Sequence, residues 1–118
     1  MNKLLVALLL TAALTPPAFA HHSAARFDLT IRDHTVVGIV KEFKPANPHT
    51  KIVLEIADEK GKRDIEFEGH SLNNYYRGGW REGLVKLGDK ITLYAAPTKD
   101  GTDGGYALEV VAADGTRF

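Results

Sequence analysis

The sequence predicts a mainly β fold, a small five-stranded Greek-key barrel with one short helix between its third and fourth strands. Three observations lead there. Five stretches are rich in β-branched residues or alternate apolar with polar positions, one stretch changes to a helical period, and glycine-containing turns fall between them. The chain has 118 residues and no internal repeat, low-complexity tract or linker.

The first twenty residues read as a leader. Met1-Asn2-Lys3 gives a short positive start, and Leu4 to Leu14 is an apolar run broken only by Thr11. Pro16-Pro17 and Ala18-Phe19-Ala20 then form a small-x-small cleavage signal. The run is shorter than the roughly 20 residues a spanning helix needs. The expectation is an exported, periplasmic protein cut after Ala20, with residues 21–118 forming one barrel domain and no membrane insertion after processing. Without the leader, 98 of the 118 residues remain, enough for one modest core.

After a polar lead-in over 21–33, residues 34–43 (HTVVGIVKEF) make the first strand, with Gly38 marking a bulge or bend. Residues 50–58 place Ile52, Leu54 and Ile56 on one face, and residues 62–68 do the same with Ile65 and Phe67. Glu59-Lys60-Gly61 joins these two as a tight hairpin. Ser71 is a good N-cap, and Leu72, Tyr75, Tyr76 and Gly79 share a helical face until Gly78-Gly79 stops the helix. Trp80, Leu84, Val85 and Leu87 are expected beneath the sheet. Residues 90–96 then align Ile91, Leu93 and Ala95, and residues 105–112 align Tyr106, Leu108 and Val110. The order β-β-β-α-β-β, with a bend in the first strand, suits an OB-like barrel. An open β-sandwich or meander with one helix is the alternative.

Composition narrows the chemistry. Lys3 is the only charge in the leader, so the processed chain carries 14 Lys and Arg against 15 Asp and Glu. That balance offers no basic footprint for nucleic acid and no polybasic membrane patch. Cysteine is absent and the one Met is Met1, which leaves imidazole, carboxylate and the N-terminal amine as metal donors.

All five histidines, His21, His22, His34, His49 and His70, follow the leader. Cleavage after Ala20 frees the α-amine of His21, which can grip a metal together with its own ring Nδ1; a further imidazole completes a three-nitrogen set suited to Cu(II). His22 offers a competing mode through amine, deprotonated amide and ring. The plain alternative is two exposed histidines that happen to follow a cleavage site. For His49 and His70, a hairpin turning at Lys60-Gly61 pairs residues whose numbers sum to about 121. Lys51 then faces His70 and His49 lies diagonal to it, both histidines outside the core. Each also has an ordinary backbone reason to be there, His49 closing the Asn47-Pro48-His49 turn and His70 preceding the N-cap. His34 reads as a surface histidine.

Other constellations are weaker. Ser71 with His70 lacks an orienting third group and an oxyanion hole. Glu66 and Glu68 point outward together as on any solvated strand face, and the glycines from Gly101 to Gly105 lack the Lys-Ser/Thr of a phosphate loop.

The mature start HHSAARFD, the NPH turn, EGHSLNN with the later GW, LGDKITLYAAP and the closing ADGTRF resemble a family of small exported bacterial proteins of unknown function. The resemblance covers essentially all of residues 21–118, most specifically at His21-His22-Ser23, Asn47-Pro48-His49 and Gly79-Trp80. It implies a periplasmic OB-like barrel and no established activity. The function expected from the residues is non-catalytic binding of Cu(II), with Zn(II) second, through His21, His22, His49 and His70. The alternative is an interaction module whose barrel face binds a peptide, glycan or envelope partner, with Tyr75, Tyr76, Arg77 and Trp80 contributing.

Overall fold

The computed structural model describes residues 24–118; the leader and both N-terminal histidines, His21 and His22, lie outside the described residues. Five strands close into a barrel: β1 (His34–Lys44), β2 (Thr50–Asp58), β3 (Gly61–Gly69), β4 (Lys90–Pro97) and β5 (Gly105–Val111), in the order β1-β2-β3-β5-β4 with β4 returning to β1. Among the described residues the one α-helix, α1 (Leu72–Gly78), joins β3 to β4, and a 3-10 turn spans Ala24–Arg26 in the lead-in. This is the mainly β, OB-like barrel that the alternation of apolar residues predicts.

Strand β1 closes the barrel because it serves two neighbours. Its first half, His34 to Ile39, pairs with β4, and its second half, Ile39 to Lys44, pairs with β2. The ladder slips at Lys41, between Val40 and Glu42. Gly38 sits three residues earlier, and its role is close approach: a Cβ there would stand 2.6 Å from Ile56 Cδ1 and 2.8 Å from the Glu55 carbonyl. On the far side, β3 and β5 run parallel and meet only at Phe67↔Gly105, Glu68↔Tyr106 and Gly69↔Ala107. That seam is the short side of the barrel.

The core follows the two-residue period of the strands. Val40, Ile52, Leu54, Ile91, Leu93 and Val110 are almost wholly buried, with Phe67 and Ile65 beside them. Helix α1 plugs one end with Tyr75, and Trp80 follows into the same cluster. Phe43, partly buried, stacks on Tyr75 at 6.2 Å between ring centroids, and Phe118 meets Tyr75 edge-on at 5.1 Å. The C-terminus is fixed by paired backbone bonds between Phe118 and Val110, of 2.8 and 3.0 Å.

A seven-residue helix has little stability of its own, so its ends must be satisfied. The Ser71 hydroxyl accepts from the Asn74 amide at 3.1 Å. The Ala46 carbonyl accepts from the Leu72 amide at 2.9 Å, and the Asn47 side-chain oxygen from the Asn73 amide at 3.4 Å. The turn before β2 thereby caps the helix after β3. Gly79 ends the helix at φ 109°, a left-handed conformation that glycine adopts without strain. Among the described residues, no helix is long and apolar enough to cross a membrane.

Four local expectations differ from the structure. The hairpin pairs Asp58 with Gly61 and Thr50 with Gly69, so its register sum is 119. The turn is the two residues Glu59-Lys60, one position earlier than expected. A shift of two leaves every side chain on its expected face but changes its partner. In β5 the ladder slips between Tyr94 and Ala95 of β4, and Leu108 is the extra residue. Gly105 and Ala107 therefore face inward with Val110, while Tyr106 and Leu108 are only half-buried. Leu87, expected beneath the sheet, is 73% exposed. The lead-in also contributes to the fold: Phe27 is buried and bridges Thr98, with Asp28 donating to the Pro97 carbonyl at 2.8 Å and Lys99 to the Arg26 carbonyl at 2.9 Å.

Candidate functional site

Strands β2 and β3 bring His49 and His70 level with each other. The Thr50 amide donates to the His70 carbonyl at 3.1 Å, which extends the hairpin ladder one step beyond its last paired residues. Because Thr50 and Gly69 face inward, His49 and His70 lie on the outer side of the sheet, each half-buried. Lys51 faces Glu68 in place of the expected His70.

Both imidazoles meet Tyr106, carried across the seam by β5. The His70 and Tyr106 rings are 5.4 Å apart and the His49 and Tyr106 rings 6.1 Å, both nearly perpendicular. His70 is held at both nitrogens: Nε2 lies 3.1 Å from the Leu108 carbonyl and Nδ1 3.2 Å from the Tyr106 hydroxyl. A carbonyl oxygen can only accept, so the proton of neutral His70 belongs on Nε2, and Nδ1 accepts from Tyr106. Burial, and secondarily the charge of Glu68, raise the Tyr106 hydroxyl above its ordinary value, which keeps it a donor at neutral pH.

His49 has a different neighbour. Its Nε2 stands 3.4 Å from Glu68 Oε1, whose side chain is 20% exposed. Glu68 in turn lines a depression of about 400 Å³ beside the seam, together with Arg26, Phe27, Asp64, Glu66 and Asp103. Four of those six residues are acidic, with Arg26 among them and the Arg63 guanidinium on Asp103 as partial counter-charges. Phe27, part of the lead-in, packs on Tyr106 at 5.7 Å between ring centroids. Tyr106 thus contacts the incoming chain and both barrel histidines.

The remaining sequence-selected residues lie elsewhere. His34 is exposed at the barrel mouth opposite the helix. Tyr75 and Trp80 belong to the core, Tyr76 is exposed against Trp80, and Arg77 contacts the Asn74 side chain at 3.3 Å. The glycine-rich β4–β5 loop is tied down by Arg63, whose guanidinium makes paired contacts with Asp103 at 2.7 and 3.0 Å and with Asp58 at 2.7 and 3.2 Å. This clamp holds both carboxyls below their ordinary values and the guanidinium above its own. Behind it a mouth of about 480 Å³ opens over Val36, Ile56, Ile65 and Phe67.

Among the described residues, no three His, Asp or Glu side chains gather closely enough to hold a metal ion. The barrel alone offers a pair of donors, not a complete set. Sequence reasoning missed Tyr106 and Phe27 as parts of this patch. A bulge hid the outward turn of Tyr106, and no local pattern marks where a lead-in will dock.

The match to a family model runs from residue 8 to residue 107 and so includes His49, Glu68, His70 and Tyr106. No curated protein and no solved structure gives a match. The chain belongs to a family of unknown function, DUF6152.

Proposed function

We propose that this protein is exported, cut after Ala20, and binds a divalent transition-metal ion without catalysing a reaction. Cu(II) is the preferred ion and Zn(II) the second. The grip is the α-amine and ring of His21, with His22, His49 and His70 as the available further imidazoles. Nitrogen-rich sets of this kind favour Cu(II), and no thiolate or thioether competes in the processed chain. One observation carries the reading: Phe27 packs on Tyr106, the residue that also contacts both barrel histidines. Six residue steps lead from His21 to Phe27, a span of at most about 22 Å when fully extended. A terminus cut there would be tethered within that distance of Phe27. The acidic depression beside Phe27 adds attraction for a cation.

The test has two parts. N-terminal sequencing of exported protein should begin at His21. Calorimetric titration of that protein with Cu(II) should then give 1:1 binding that weakens at least tenfold when the α-amine of His21 is acetylated. Equal affinity with and without the acetyl group would refute the chelating terminus.

A second reading, binding of a peptide, glycan or envelope partner on the barrel, is favoured by the apolar-floored mouth behind the Arg63 clamp. OB-like barrels bind ligands on one side of the barrel. A partner captured from envelope extract whether or not chelator is present, and lost on Ile56→Lys, would support it; capture that needs metal would not.

A further inference from the structure

The two barrel histidines are not equivalent as ligands. Resting on the metal reading above, we infer that the barrel's share of the site is the His49 ring with the Glu68 carboxylate, and that His70 is a positioning residue held by Tyr106.

Both ring nitrogens of His70 are committed. His70 donates from Nε2 to Leu108 and accepts at Nδ1 from Tyr106. Ligation through either nitrogen would strand a half-buried carbonyl or hydroxyl. His49 instead directs Nε2 at a carboxylate, the pairing that a cation can enter. The spacing is right for it. Two donors each about 2.0–2.1 Å from one ion lie about 2.9 Å apart at a right angle and about 3.4 Å apart at the tetrahedral angle. The His49 Nε2 to Glu68 Oε1 separation is 3.4 Å, which suits Zn(II) as it stands and Cu(II) after an approach of about half an ångström.

The field agrees with the geometry. Glu68 lines the same acidic depression as Arg26 and Phe27 of the lead-in. Lys51, its partner across the hairpin, is engaged with Glu42 at 3.3 Å and Glu66 at 3.9 Å, leaving Glu68 to His49. Tyr106 pairs with Glu68 across the parallel seam and holds His70 on its other contact. His70 thereby fixes the Tyr106 ring against which His49 packs. Loading releases the proton of the α-ammonium group of His21, and the proton that His49 Nε2 presents to the Glu68 carboxylate moves to Nδ1 or to solvent.

The experiment compares His49→Gln, Glu68→Gln and His70→Gln in protein starting at His21, by Cu(II) calorimetry, with a thermal melt for each. His49→Gln and Glu68→Gln should each weaken binding at least tenfold, and His70→Gln less than threefold. Should His70→Gln unfold the chain, long-range 1H–15N spectra of the parent serve instead. There the His70 ring should be the Nε2–H tautomer and keep both nitrogen shifts when Zn(II) is added, while the His49 Nε2 shift moves. Unchanged affinity in Glu68→Gln, or a His70 nitrogen that moves as far as that of His49, overturns the inference. If acetylating the His21 α-amine weakens binding while His49→Gln and Glu68→Gln do not, this assignment fails and the chelating terminus stands. If acetylation changes nothing, the metal reading itself fails.

Discussion

The same two strands present opposite chemistry on their two faces. Inside the capped end, Thr50, Ile52, Phe67 and Gly69 point at Tyr75 and Trp80, and almost nothing there is exposed. One residue away on the outer side, His49 and His70 meet Tyr106, which packs on Phe27 of the lead-in, and the edge of this patch touches the core where His70 meets Tyr75 at 5.8 Å. The inner face is fixed by excluded volume and burial, which tolerate no missing methylene groups. The outer face is fixed by a few directed contacts, each weak and each dependent on the protonation of a partner. Stability and metal binding should therefore separate by residue parity, and that separation is open to test.

The largest effect belongs inside. Leu93 is fully buried, and Leu93→Ala should destabilise the barrel by about 2–5 kcal/mol in urea titration while the folded fraction binds Cu(II) as the parent does. Coupled loss of both would mean the faces are not independent. Next comes Gly69, where an added Cβ would overlap the Tyr75 hydroxyl. Gly69→Ala should cost about 1–3 kcal/mol through overpacking, and Gly69→Ala with Tyr75→Phe should recover part of it. A full cost persisting in the pair would place the strain elsewhere.

On the outer face, Tyr106→Phe keeps the ring contacts and removes the donor to His70 Nδ1. A loss of about 0.5–1.5 kcal/mol is expected, together with faster amide exchange at Leu108 and Phe27. Unchanged exchange at both would show that the hydroxyl does not hold the patch. The smallest effect is at the Arg63 clamp. Asp58 and Asp103 are held below their ordinary values when folded, so between the folded and unfolded values the unfolded chain binds more protons. Their contribution is complete above about pH 3.9 and is lost as pH falls through the lowered values. Both carboxylates are well exposed, so Arg63→Gln should leave stability at pH 7 little changed from the parent and flatten its fall in acid.

How much of this was legible in the sequence follows from the range of each signal. Two-residue alternation in β2, β3 and β4, and the Ser71 and Gly79 caps of α1, are local and were readable. The hairpin register was missed by two positions because Glu59-Lys60 carries no strong turn pair and Gly61 alone could not say which residues form the turn. Parity survived that shift, so His49 and His70 could be placed outside the core before their neighbours were known. The bulge at Leu108 was invisible, since one inserted residue turns Tyr106 outward without changing the composition of β5. The docking of Phe27 on Tyr106 joins residues 27 and 106, and no local pattern encodes such a contact.

One measurement reaches the central claim, that the freed terminus and a barrel ring hold the same ion. It is a double-mutant cycle on Cu(II) affinity combining acetylation of the His21 α-amine with His49→Gln. Shared ligation predicts non-additivity: His49→Gln weakens binding at least tenfold in the unmodified chain starting at His21 and has almost no effect once acetylation blocks the amine. Strictly additive losses, or a His49→Gln effect of equal size in both backgrounds, would contradict it.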